Sequence, residues 1–272
     1  MLRYLKDGFR TTVSQYFLLI VLWLYQFAWG LLLLLFVKSI VVPLMHRYPS
    51  GHLPSSATQL FLAEGEFQLM KTTVSHPYLW TLCALVLIRM VLTPMINAGI
   101  FYSIHNTHLN SGYRFFKGVK ELSGRFTLYY GLQMAITAIP LYWIYPLAKQ
   151  AIQSFHSYEH LISQLLPWVL GMFAYGYLVH LIFLYLMLGR TIQAPAFDTI
   201  GLLLRRFPMV LVLATLLLLL SGLVTALTLT ASLWWAGLSA LILHQAFHVL
   251  KMLFKLWAVS TQYHHFTKNT VA

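Results

Sequence analysis

Residues 208–229 read PMVLVLATLLLLLSGLVTALTL, a run of 22 residues without one charged side chain. An amphipathic helix of a soluble protein keeps a polar face, whereas this stretch is apolar all round, which suits lipid or the middle of a large core. It is also long enough to span, since about 20 apolar residues at roughly 1.5 Å each cover about 30 Å of hydrocarbon. The stretch therefore predicts a transmembrane helix.

Comparable runs at 16–37, 79–101, 126–147, 164–189 and 233–258 bring the expected spans to six. Composition agrees: 59% of the residues are hydrophobic and 9% charged, where soluble domains carry about a quarter charged. The expected fold is all-α, a polytopic membrane bundle formed as one domain over 1–272. Its six transmembrane helices pair as three hairpins, with an extracytoplasmic loop at 38–78. In that loop SSATQLFLAEGEFQLMKTTV, 55–74, predicts an interfacial helix with Leu60, Phe61, Phe67 and Met70 at the bilayer surface. The basic MLRYLKDGFR before the first run reads as the flank of an uncleaved span, because Tyr16 to Val37 is too long for a cleaved signal and no small-residue site follows. Cys83 is the single cysteine and forms no internal disulfide.

The formal charge is +12. Its lysines and arginines fall in short clusters between apolar runs, which argues for membrane topology and against a nucleic-acid partner. One side holds Arg3, Lys6, Arg10, Arg114, Lys117, Lys120, Arg125, Arg190, Arg205, Arg206, Lys251, Lys255 and Lys268; the other holds Lys38, Arg47, Lys71 and Lys149. That asymmetry predicts a cell-membrane protein with both termini in the cytoplasm. FKGVKELSGRF at 116–126 and FDTIGLLLRRF at 197–207 form an internal repeat, each leading into a span, with residues 1–15 in the same position before the first. These basic segments predict cytoplasmic amphipathic pieces lying among anionic lipids. Arg114, Lys117, Arg205 and Arg206 are the expected contact surface for a soluble partner such as an ATPase, or for another membrane subunit, because the chain has no nucleotide-binding motif of its own.

TPMINAGIFYSIHNTHLNSGYRFFKGVKELSGRF at 93–126, followed by APAFDTIGLLLRRFPMVLVLATLLL at 194–218, resembles a loose group of six-span bacterial integral membrane proteins. The group includes the membrane domain attached to some glycerophosphodiester phosphodiesterases. The resemblance covers roughly residues 90–260 and implies the six-span fold and a role in or beside membrane transport or lipid handling; it carries no catalytic residues to transfer.

All six acids, Asp7, Glu64, Glu66, Glu121, Glu159 and Asp198, fall outside the expected spans. Proton-driven transport and intramembrane aspartyl proteolysis, which need a buried carboxylate, gain no support. HQAFH at 244–248 has the histidine spacing of a zinc peptidase but Gln245 in place of the general base, which excludes that chemistry. What lies within the spans is basic. Arg89, His180 and His244 share a depth near the midplane, and His244, His248, Lys251 and Lys255 follow four-, three- and four-residue steps along one helix face.

Three readings compete for that stripe. The histidines serve helix packing while the lysines reach the headgroups. Alternatively Arg89, His244, His248, Lys251 and Lys255 hold a phosphate or carboxylate. In the third, His180, His244 and His248 ligate a transition metal or haem, making a membrane redox protein. The function expected first is a non-enzymatic permease-like or accessory subunit without a cofactor. Pro94 and Pro140 are expected to kink their helices, and Gly99, Gly131, Gly171 and Gly176 to allow close helix contact.

Overall fold

In the computed structural model, residues 1–47, 76–153, 158–234 and 238–270 are described, and every element among them is a helix. In chain order these are α1 (Leu2–Val13), α2 (Tyr16–Arg47), α3 (His76–His105), α4 (Ser111–Ala138), α5 (Leu141–Gln153), α6 (Tyr158–Thr191), α7 (Ala196–Arg205), α8 (Phe207–Trp234) and α9 (Leu238–Thr270). Four of them are long and apolar enough to cross a membrane: Tyr16–Val42 of α2, the whole of α3, Leu165–Thr191 of α6 and Phe207–Thr230 of α8. Only 6% of the apolar window of α3 is buried. An apolar surface left so open needs lipid to cover it, so these helices fit an integral membrane protein.

The expected third and sixth spans look different. Residues 126–147 cross a helix boundary at Ile139 and Pro140, where α4 ends and α5 begins. Pro140 has no amide hydrogen for the ladder and its ring crowds the carbonyl four residues back, so the break falls where the sequence places the proline. Pro94, by contrast, sits inside a continuous α3. Residues 233–258 fall largely on α9, with 235–237 outside the described residues. At the two ends of the expected loop at 38–78, α2 continues to Arg47 and α3 starts at His76. The interfacial segment at 55–74 lies outside the described residues.

The chain divides into two compact units, Val21–Thr93 and the remainder. In the first, Tyr25 donates to Thr93 Oγ1 at 2.8 Å, and Thr93 in turn donates to the Arg89 carbonyl at 2.7 Å. Trp29, buried beside them, carries the Arg89 guanidinium 5.8 Å from its ring centroid.

In the other unit α1 and α8 pack on α9, and α4 and α7 pack on α6. On α8 the buried positions among the described residues are Val210, Leu213 and Leu217; on α6 they include Val179, Leu181, Phe183, Leu184, Tyr185, Met187 and Leu188. Steps of three and four residues give α8 one packed stripe, whereas burial on the last turns of α6 goes round the helix. Leu218, Leu219, Leu223 and Leu227 of α8 are exposed. In lipid such a stripe gains little from hydrophobicity, since the tails are as apolar as leucine; close packing and interhelical hydrogen bonds hold the helices together.

Close approach is visible at specific glycines. A Cβ on Gly8 of α1 would collide with the Thr261 side chain and lie 2.8 Å from its backbone N and Cα. One on Gly189 of α6 would collide with the Thr199 hydroxyl of α7, and one on Gly99 or Gly118 would strike Phe115 or Tyr102 across the α3–α4 pair. Of the glycines expected to allow close contact, Gly99 does so and Gly176 touches Thr137 at an ordinary 3.4 Å, whereas Gly131 and Gly171 face open space.

The two repeat segments adopt different structures. Residues 116–126 are an uninterrupted part of α4, while 197–207 form α7 and then an elbow at Arg206, with φ −111° and ψ 14°. Thr127 follows the first segment and Pro208 the second, and only the proline denies the helix a hydrogen bond to the carbonyl four residues back.

Candidate functional site

The helical spacing that predicts one face for Lys251 and Lys255 is realised on α9, and that face closes a cleft against α6 and α8. The cleft has a volume of about 380 Å3. Its polar lining comprises Tyr177 and His180 from α6, Ser221 from α8, and Lys251, Lys255 and Gln262 from α9, with no aspartate or glutamate among the lining residues. Leu181, Leu184, Leu217, Leu218 and Met252 make the apolar part. Among the described residues the buried Tyr177 hydroxyl has no hydrogen-bond partner. An unbonded buried hydroxyl costs about 1–3 kcal/mol, which an acceptor atom on a ligand would recover.

The remaining predicted site residues are distributed more widely. His180 is also 3.2 Å from Gln133 Nε2 on α4 through its Nδ1. His248 is half-buried on α9, one turn before the cleft lysines. The side chain of His244 lies outside the described residues, and Arg89 belongs to the other unit. No three metal-ligating side chains come together among the described residues.

The predicted partner-contact residues divide as well. Arg114 is buried and donates to the Thr107 carbonyl at 3.2 Å, which commits it to the turn between α3 and α4. Lys117 pairs with Glu121 at 3.8 Å and lies over the Tyr113 ring. Arg205 and Arg206 are exposed and line a cavity of about 450 Å3 shared with Asp198, Asn269 and Thr270.

Beyond the lysines, the continuation of α9 carries a polar cluster that sequence reasoning missed. Ser260, Thr261, Gln262 and His265 are all buried. Gln262 Nε2 donates to the Val210 carbonyl of α8 at 3.2 Å, which turns its Oε1 toward α6. The Tyr185 hydroxyl donates to that Oε1 at 2.9 Å and lies 2.9 Å from His265 Nδ1. A hydroxyl has one proton to give, so the arrangement closes when His265 carries its proton on Nδ1 and donates to Tyr185. Polar side chains thus run unbroken from the cleft wall at Gln262 through Tyr185 to His265.

The amphipathic α1 covers the far side of this stretch. Trp257 Nε1 donates to the Leu5 carbonyl at 2.9 Å, His264 Nε2 lies 2.8 Å from Thr11 Oγ1, and Lys268 pairs with Asp7 at 2.9 Å. The Lys268 hydrogen bond holds the Asp7 carboxyl below its ordinary value of 3.8. Burial pushes His264 and His265 below 6.5, helped for His265 by Arg206 and the N-terminal amine. One signal for this cluster is present in the sequence: STQYHH at 260–265 follows directly on an apolar span. Comparison with known proteins finds no matching family model, no matching curated protein and no matching solved structure.

Proposed function

We propose that the chain is a non-enzymatic integral membrane protein, a permease-like or accessory subunit, that handles an anionic amphiphile in the cleft between α6, α8 and α9. The observation that carries this reading is the lining: two lysines, a histidine and an orphaned tyrosine hydroxyl face leucines and a methionine, with no carboxylate among them. A lipid with a phosphate or carboxylate head would meet its charge on Lys251 and Lys255 and lay its chain along Leu217 and Leu218. Six crossings with both termini in the cytoplasm accompany this proposal, the third made by α4 with α5 and the sixth by α9. The skewed distribution of lysine and arginine supports that orientation.

The test is native mass spectrometry of protein purified in mild detergent, comparing the wild type with the Lys251→Gln, Lys255→Gln double variant. An anionic amphiphile that stays on the wild type and is lost from the folded variant is the expected result. Equal retention by both would sink the reading.

A further inference from the structure

A second cavity, of about 360 Å3, lies between α4, α6 and α7. It has no part in the α6/α8/α9 cleft and rests on different residues. Two helix contacts set its level. Gln133 meets His180, and Tyr175 donates to the Ile136 carbonyl at 3.1 Å, so α4 and α6 run antiparallel in a fixed register. Continued to the Arg125 end of α4, that register brings Arg125 to the level of the last turns of α6, where Arg190 sits. Both arginines line the cavity.

The third wall is built by the turn after α6. Ala194 N donates to the Gly189 carbonyl at 2.9 Å and Gln193 N to the Arg190 carbonyl at 3.2 Å, while Gln193 takes a left-handed φ of 62°. This closing turn reverses the chain. Gly189 then lets Thr199 approach without a Cβ in the way, which seats the first turn of α7 against α6. Pro195, Ala196 and Thr199 complete the lining.

We propose that this cavity binds a phosphate group, held between the guanidinium groups of Arg125 and Arg190. No aspartate or glutamate lines it, and neither arginine pairs with a carboxylate among the described residues. Among the described residues the buried Arg190 Nε has no hydrogen-bond partner. Two cations facing one space repel each other, and that repulsion becomes attraction once a dianion or monoanion sits between them. Two guanidinium forks facing one space can each take two oxygens of a single phosphate, which has enough oxygens for both, and Tyr129 also lines the cavity. Leu128 is exposed at the same opening. The phosphate has two sources, a phospholipid headgroup whose chains pass Leu128 or free phosphate from the aqueous side.

The experiment measures thermal stabilisation of the full chain in phosphatidylcholine nanodiscs under two additions, inorganic phosphate alone and a minority of phosphatidic acid in the disc. Wild type, Arg125→Gln, Arg190→Gln and the exposed control Lys120→Gln are compared. Stabilisation by at least one probe, with apparent affinity falling about tenfold in each arginine variant and unchanged in the lysine control, is expected. A response to phosphatidic acid only identifies the headgroup, and a response to inorganic phosphate identifies the free anion. Where a glutamine variant does not fold, Arg125→Lys and Arg190→Lys keep the charge and lose the fork, and a weakened response in them supports the site equally. No stabilisation by either probe, or an equal loss in Lys120→Gln, overturns the proposal.

Discussion

The Tyr185 hydroxyl donates to Gln262 Oε1 across 2.9 Å, joining the C-terminal part of α6 to the polar half of α9. His265 Nδ1 lies at the same distance on its other side. Tyr185→Phe keeps the ring and its edge contact with Phe266 but leaves Gln262 Oε1 and His265 Nδ1 buried without the bond to the hydroxyl. We expect a loss of about 1–2 kcal/mol in unfolding free energy, since the orphaned groups cost more than the bond alone. Chemical unfolding in detergent checks this. A variant as stable as the wild type would mean that Gln262 and His265 find other partners.

Gly8 faces Thr261 with no space for a Cβ, and the nearest obstacles include backbone. A side-chain rotation cannot relieve that clash, so Gly8→Ala should lift α1 from α9 at a cost of about 1–3 kcal/mol. Gly124→Ala on α4 enters open space and should gain up to about 1 kcal/mol from helix propensity. Faster protease cleavage within α1 in the first variant, with none in the second, is the expected outcome.

Parts of this arrangement are legible in the sequence because lipid imposes a single rule. The runs that become α2, α3, α6 and α8 must be apolar on every side, and they stand out for that reason. The lysine face on α9 is also legible, since Lys251 and Lys255 are four residues apart on a helix. The buried polarity of Ser260 to His265 is not. In isolation a polar segment after a span reads as a solvated tail; here it is buried by α1, which lies at the opposite end of the chain, as the Trp257 bond to Leu5 illustrates. The burial of Arg114 is not legible for a similar reason, because only the turn at Thr107 shows where its guanidinium bonds.

The α1–α9 contact should weaken in acid. With folded values below 6.5, His264 and His265 take up protons more readily in the unfolded chain. Their contribution is complete above 6.5 and is lost as the pH falls through 6.5 toward the folded values. Asp7 adds nothing in that window, since its depressed carboxyl gives a contribution lost only below 3.8. The unfolding midpoint should therefore drop between about pH 8 and about pH 5, and the drop should flatten in His264→Asn, His265→Asn. A slope identical in the double variant would assign it to other groups.

The elbow at Arg206 is attributed to Pro208, and the matching segment supplies its own control. At 123–127 the chain continues helically through Arg125, Phe126 and Thr127, where the other copy has Arg206, Phe207 and Pro208. Thr127→Pro would delete the amide bond to Ser123 and press the ring on that carbonyl, at a cost of about 3 kcal/mol or more in mid-helix. Pro208→Ala restores an amide donor four residues after the Leu204 carbonyl, which already accepts a backbone bond at the end of α7, and should cost far less. If the proline causes the elbow, spin labels on exposed Phe197 and Leu218 should move apart in Pro208→Ala as α7 and α8 straighten toward one axis. Unchanged separation would place the cause in the seating of Thr199 against Gly189, and the double variant Pro208→Ala, Thr199→Ala would then be the one to straighten.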